Sequence, residues 1–256
     1  MNRNKAREIA EETTKAFLHG HPTAFAAAKT AWIVGRYLFG RLYDEDLRAF
    51  ASIDGLVLDI GANSGQSALS LAIVNRHCSI LSFEPVAECA RDLVISKRLL
   101  GRRFDFQMRA VADYSGVLTL TIPMKGNTLL TQEATHDASE LGSSESRRRL
   151  GTIDGTRAIT VPCVRIDDLS LSPAGVKVDC QGAEAFIIRG MLETIDRSRP
   201  LIMTENSHVT QHVAAMLSPF GYSLYSWNDG FTAANGATST ANVFWLTEAH
   251  RCALSR

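Results

Sequence analysis

From Gly55 onward the chain alternates short apolar runs with stretches of helical period, and this alternation most constrains the fold. Leu56 to Ile60 is followed by a helical pattern over Ser67 to Val74, and Ile80 to Phe83 by one over Val86 to Leu100. Apolar runs too short to be helices, each followed by a helical pattern, read as βαβ units of a parallel sheet with right-handed crossovers. Further strands are predicted at Phe104 to Val111, Val117 to Ile122, Ile159 to Val164, Val176 to Val178, Leu201 to Thr204, Tyr222 to Trp227 and Val243 to Leu246. Helices are predicted over Ala183 to Thr194 and Val209 to Leu217.

Ahead of this region the pattern is helical. Ile9, Thr13, Ala16 and Phe17 share one face and stop at Gly20. A second helix is expected from an N-cap at Thr23 to Gly40, and Asp44 is placed to cap a short third through Phe50. The division expected is an N-terminal helical cap over 1–52 and one α/β domain over 53–256, with 131–156 as a flexible loop insertion. That loop holds Arg147-Arg148-Arg149, read as a solvated surface or as contacts for an anionic group.

Composition narrows the partners. With 27 Lys+Arg against 27 Asp+Glu, the 256-residue chain has no global basic field to draw nucleic acid. The five cysteines form no CxxC pair, which argues against a disulfide framework or zinc knuckle. Thr23 to Phe39 is interrupted by Lys29 and Arg36 and is a poor membrane span. A cytoplasmic protein without nucleic acid or stable membrane insertion is expected.

The chemistry concentrates at two strand ends. In Val57-Leu58-Asp59-Ile60-Gly61-Ala62-Asn63-Ser64-Gly65 a buried strand runs through an acid into a glycine turn that opens a helix. Glycines there let a ligand approach the backbone. The pyrophosphate-binding spacing GxGxxG would need glycine where the chain has Asn63 and Gln66. The Asp59 carboxylate also favours a cationic ligand over an anionic one. The next strand ends in Ser82-Phe83-Glu84-Pro85, and an acid about 20 residues past the turn suits the two hydroxyls of a ribose. In this order the signals point to an adenosine-bearing ligand.

The DIGANSG turn and the FEP strand end resemble class I S-adenosylmethionine-dependent methyltransferases, and more closely the FkbM family. Similar stretches follow at Arg109-Ala110-Val111-Ala112-Asp113 and Gly116, at Val164-Arg165-Ile166-Asp167-Asp168-Leu169, and at Val176-Lys177-Val178-Asp179-Cys180-Gln181-Gly182-Ala183-Glu184. Arg189-Gly190, Arg199-Pro200 and Asn242-Val243-Phe244-Trp245 complete a resemblance spanning roughly Gly55 to Leu246. It implies a Rossmann-like, seven-stranded, mostly parallel sheet flanked by helices. It implies S-adenosylmethionine as donor and methyl transfer to a hydroxyl of a sugar, polysaccharide or natural product. By the same resemblance Asp59, Gly61, Asn63 and Gly65 form the donor turn, Glu84 holds the ribose, and Asp113 lies near the adenine edge.

One position departs from the pattern: Gln181 stands where the family usually carries an acid. The amide keeps hydrogen bonding but no basicity, so a non-catalytic donor-binding module of the same fold is the alternative reading. For the proton of the acceptor hydroxyl, the expected groups are Asp179, then His208, with Glu205 at a neighbouring strand end. Asp179 with Glu205-Asn206 also resembles the magnesium ligands of catechol-type methyltransferases, with glutamate in place of aspartate, and metal dependence is the lesser expectation. Lys177 is read as a structural ion-pair partner and Glu184 as a partner of a helix N-terminus.

Overall fold

Asp59 and Lys177 sit in the middle of apolar strands, and the register of the sheet explains how. In the computed structural model, which describes residues 21–142, 150–234 and 240–254, they are direct neighbours on adjacent strands. The expected helix around Ile9 to Phe17 and the Arg147-Arg148-Arg149 run lie outside the described residues.

The chain enters through helix α1 (Pro22–Leu38) and a 3-10 turn over Glu45–Phe50. Pro22 at the start of α1 replaces the expected N-cap at Thr23, since proline fits the first turn, where its missing N–H has no partner to lose. Asp44 does cap the 3-10 turn, accepting from the Asp46 backbone N–H at 2.9 Å. Then come β1 (Leu56–Ile60), α2 (Gln66–Val74), β2 (Ser79–Phe83), α3 (Ala90–Leu100), β3 (Phe104–Gln107), β4 (Ala110–Val111), β5 (Gly116–Lys125), β6 (Thr128–Leu129), β7 (Gly155–Val164), β8 (Pro173–Val178), α4 (Glu184–Arg189), α5 (Leu192–Ser198), β9 (Leu201–Glu205), α6 (Thr210–Leu217), β10 (Ser223–Trp227), β11 (Phe231–Ala233), β12 (Asn242–Leu246) and α7 (Glu248–Leu254).

The main sheet has the order β11-β10-β12-β9-β8-β1-β2-β3. Strands β3, β2, β1, β8 and β9 pair in parallel, and β12 runs antiparallel between β9 and β10. It is the expected mostly parallel Rossmann-like sheet with an eighth strand, β11, which pairs antiparallel with β10 at the edge. Helices cover both faces. Val57, Ile80, Phe104 and Met203 pack with α2, α3 and Phe50 on one side, and Leu58, Ile60, Val176 and Ile202 with α4, α5 and α6 on the other. Burial on both faces is why β1 and β9 read as near-continuous apolar runs.

Two expected elements are divided. The run Phe104 to Val111 splits into β3 and β4, and β4 leaves to join a second sheet of order β4-β7-β5-β6. The helical pattern over Ala183 to Thr194 breaks at Gly190, where a Cβ would stand 2.0 Å from the Ala112 carbonyl oxygen. The long hairpin of β5 and β7 carries the 131–136 segment back over the carboxyl ends of the main strands. Among the described residues, no helix is long and apolar enough to cross a membrane.

Candidate functional site

The carboxyl ends of parallel strands are where an open α/β sheet holds its ligands. A cavity of about 360 Å³ lies there, bounded by the ends of β1, β2, β8 and β9, the β5 hairpin and the segment after α1. Its size is in the range of small-molecule and cofactor sites.

Beneath it lies a polar ladder. Asp59 on β1 faces Lys177 on β8 and Ser82 on β2 in register. The Asp59 carboxylate accepts from Ser82 Oγ at 2.8 Å and from Ser67 Oγ at 2.8 and 2.9 Å, and lies 3.2 Å from Lys177 Nζ. Lys177 Nζ also donates to the Gly61 carbonyl at 3.0 Å and lies 3.6 Å from Asp179 Oδ2. Burial alone would pull the lysine down, but Asp59 and Asp179 outweigh it and hold its ammonium above the ordinary value. Asp59 is fully buried and does not line the cavity. Its charge is met by Lys177, so the negative field of the site comes from other residues.

The turn is built by three left-handed residues, Gly61 (φ 78°), Asn63 (φ 46°) and Gly65 (φ 81°). Asn63 takes the backbone conformation that a second glycine would supply, which its short polar side chain tolerates. A Cβ on Gly61 would stand 2.1 Å from the Asp179 carbonyl oxygen, and one on Gly65 2.6 Å from Ser96 Oγ. Gly65 thus packs against α3 and does not line the cavity, whereas Gly61 and Asn63 do. Glu84 ties the turn to β2: Oε2 accepts from the Asn63 backbone N–H at 2.7 Å and Oε1 from that of Val86 at 2.8 Å. Burial pushes Glu84 up to about 7, against the pull of these two donors.

Asp179, Cys180 and Gln181 follow β8 along the cavity wall, and Glu205 ends β9 beside them. Gln181 is left-handed (φ 50°), as is Gly182 (φ 87°), so the departure from the family pattern also places a long side chain in strained backbone. Burial raises the Cys180 thiol well above its usual value. Glu184 is fully buried at the start of α4, where it accepts from the Cys180 and Gly182 backbone N–H groups, both at 3.3 Å. Among the described residues, no group of three or more His, Cys, Asp or Glu is arranged to hold a metal ion.

Two expected site residues stand apart. Asp113 does not line the cavity and pairs with Arg189 at 3.1 Å. His208 is exposed and does not line it either.

Other lining residues carried no sequence signal. Tyr43 and Asp44 come from the segment after α1, and Glu133 and His136 from the irregular stretch after β6. His136 stacks on Phe186 of α4 with ring centroids 5.2 Å apart. Lys29 of α1 reaches over the turn and donates to Asn63 Oδ1 at 2.6 Å. The expected N-terminal helical cap over 1–52 is the one sequence reading that bears on Tyr43 and Asp44.

A glycine turn and a buried acid at successive strand ends, opening on one cavity, define a Rossmann-like α/β protein made to hold a ligand at the carboxyl edge of its sheet. The sequence matches the Methyltransferase FkbM domain over residues 59–224, more than half of the chain, and the protein belongs to that family.

Three solved structures align with the chain at low identity. A methyltransferase FkbM from Methylobacillus flagellatus KT is 12% identical over 85% of this chain and 60% of that one, with a TM-score of 0.49. The present chain thus spans about three-fifths of that protein's length. A precorrin-6y C5,15-methyltransferase from Geobacter metallireducens GS-15 is 12% identical over 80% of this chain and 87% of that one, with a TM-score of 0.40. An O-methyltransferase family protein from Burkholderia thailandensis is 12% identical over 90% and 61%, with a TM-score of 0.39. No curated protein sequence matches the chain.

Proposed function

We propose that this protein is an S-adenosylmethionine-dependent O-methyltransferase acting on a hydroxyl of a sugar, polysaccharide or natural product. The observation that carries the reading is the bond from Asn63 N–H to Glu84, which joins the glycine turn and the acid of β2 into one rim of the cavity. A carboxylate has about four lone-pair sites, and the two backbone bonds of Glu84 leave acceptor capacity on both oxygens, as vicinal ribose hydroxyls require. The lining carboxylates Asp44, Glu84, Glu133, Asp179 and Glu205 outnumber the cations at the site, namely Arg109, Lys177, which is shared between Asp59 and Asp179, and Lys29 over the glycine turn. This field suits a donor of net positive charge.

When bound, the donor supplies a methyl group already activated by its sulfonium. What remains for the protein is alignment, exclusion of water and removal of one proton. Gly61 and Asn63 present backbone to the donor without a side chain in the way of Gly61, and Glu84 holds the ribose. Asp179 at the end of β8 would accept the acceptor's hydroxyl proton, with Glu205 at the end of β9 as the second carboxylate placed to take it. His208, exposed and off the cavity, is left without this role.

Isothermal titration with S-adenosylmethionine tests the reading, with NAD as control. Binding of S-adenosylmethionine alone, weakened by Glu84→Gln, is the expected result. Absence of binding by folded, ligand-free protein overturns it. Binding without methyl transfer to any hydroxyl pool would favour the second reading, a donor-binding module in which Gln181 occupies the place of the family's acid.

A further inference from the structure

The cavity has two kinds of wall. One belongs to residues 59–224, the span of the family domain. The other, at the β9 and β12 side, comes from both flanks of that span: Tyr43 and Asp44 before it, Ala241 and Asn242 after it. The flanks are clasped together. Asn242 Nδ2 donates to Asp44 Oδ2 at 2.8 Å and to Asp46 Oδ2 at 3.0 Å, across 198 and 196 residues of chain. Tyr43 is fixed by its backbone N–H, which donates to Ser70 Oγ on α2 at 2.9 Å. Just behind, Leu47 and Phe50 are sunk in the core, and Phe50 packs against Gly175 of β8 so closely that a Cβ there would stand 3.0 Å from its ring. The wall is therefore preorganised by the same core that holds the sheet.

Its chemistry is that of a hydroxyl-binding surface with a negative field. Tyr43 offers an aromatic face, Asp44 and Glu205 offer carboxylates, and Asn242 is an amide. Gln66, between the glycine turn and Tyr43, also lines the cavity, and its Oε1 is buried without a hydrogen-bond partner. Of the lining cations, Lys177 is held between Asp59 and Asp179, and Arg109 follows β3 at the opposite edge of the parallel strands. A phosphate, sulfate or carboxylate placed against this wall would lose hydration and meet like charge. A hydroxyl would donate to the carboxylates and to Gln66 Oε1.

We infer that the two flanks form the acceptor-specificity wall, with Tyr43, Asp44 and Asn242 as its contacts beside Gln66 of the family domain, and that it selects hydroxyl-bearing acceptors that carry no negative charge. The inference rests on the proposed donor site for its orientation: with the donor along Gly61, Asn63 and Glu84, the acceptor is left the β9 and β12 side. It assigns part of acceptor choice to Tyr43, Asp44 and Asn242, which lie outside the family domain.

Ala241 is exposed at the cavity mouth beside Asn242 and is the position from which to read the field. The experiment uses the full chain carrying Ala241→Cys in a Cys180→Ser, Cys252→Ser background. It is labelled with thiosulfonate reagents of charge +1 and −1, with and without saturating S-adenosylhomocysteine. A local potential of about one kT separates the two reagents by ~7-fold, and the cationic reagent is expected to be faster by at least that factor. Asp44→Asn is expected to lower the ratio by about half. Equal rates, or faster labelling by the anionic reagent, overturn the inference. So does an Asp44→Asn variant that weakens S-adenosylhomocysteine binding without altering the ratio. If S-adenosylhomocysteine does not bind at all, the donor reading fails, while the labelling ratio of the ligand-free protein still reports on the wall.

Discussion

The backbone N–H of Asn63 donates to the Glu84 carboxylate at 2.7 Å, so the turn after β1 and the end of β2 are held by one shared oxygen. The bond crosses between two βα connections, and its donor Asn63 is in a left-handed conformation. The Glu84 carboxylate is thereby fixed at the rim of the cavity. Replacing it with Gln removes the charge from its bonds to hydroxyl donors. Affinity for S-adenosylmethionine is expected to fall by roughly 10- to 100-fold, as measured by titration calorimetry.

The same group sets a pH dependence. Burial raises Glu84 from 4.5 to about 7 on folding. The folded protein then holds the proton more tightly than the unfolded chain. This contribution is fully present below the unfolded value, is lost as pH rises through about 7, and amounts to about 3 kcal/mol. Wild-type stability, followed by urea unfolding between pH 5 and about 8, is expected to carry this component and Glu84→Gln to lack it. Donor affinity runs the other way, falling as Glu84 becomes protonated.

Gly61 and Gly221 share a left-handed backbone, with φ of 78° and 77°, but differ in surroundings. A Cβ on Gly61 meets the Asp179 carbonyl and Cys180 Sγ, whereas one on Gly221 meets nothing within 4 Å. Gly221→Ala is expected to cost about 1 kcal/mol of backbone strain in chemical denaturation. Gly61→Ala is expected to cost at least about 3 kcal/mol, because the turn must move away from Asp179.

Lys177→Met leaves the Asp59 carboxylate buried without its cation. Breaking a buried pair from one side costs about 3–5 kcal/mol. Asp59→Asn added to Lys177→Met is expected to recover part of that loss, and a double-mutant cycle by urea unfolding measures the coupling. Additive losses would show that the two charges do not depend on each other.

Asp113 and His208 test the boundary of the site. Neither lines the cavity, and Asp113 is engaged with Arg189. Alanine at either position is expected to change affinity for S-adenosylmethionine by less than about threefold, consistent with surface substitutions outside a binding site. A loss matching that of Glu84→Gln would move the site toward them.

Much of this architecture is legible in the residues. Apolar runs such as Leu56 to Ile60, alternating with helical period, determine a parallel sheet because both of its faces must be covered. Gly61 and Glu84 mark the ligand edge, where permissive backbone stands beside an acid, whereas Gly65 is glycine for its packing against α3. Spacing in the chain could not reveal contacts made between distant segments. Register alone sets Lys177 against Asp59 and turns a carboxylate that reads as a ligand group into the neutralised base of the floor. Folding also brings Asp44 and Asp46 to Asn242, in segments whose local patterns say only helix end and strand start. Periodicity reports what each segment does with its own faces, and so determines the elements and their layers. Which polar side chains share one cavity depends on strand order and on loops returning over the sheet, which only the tertiary structure decides.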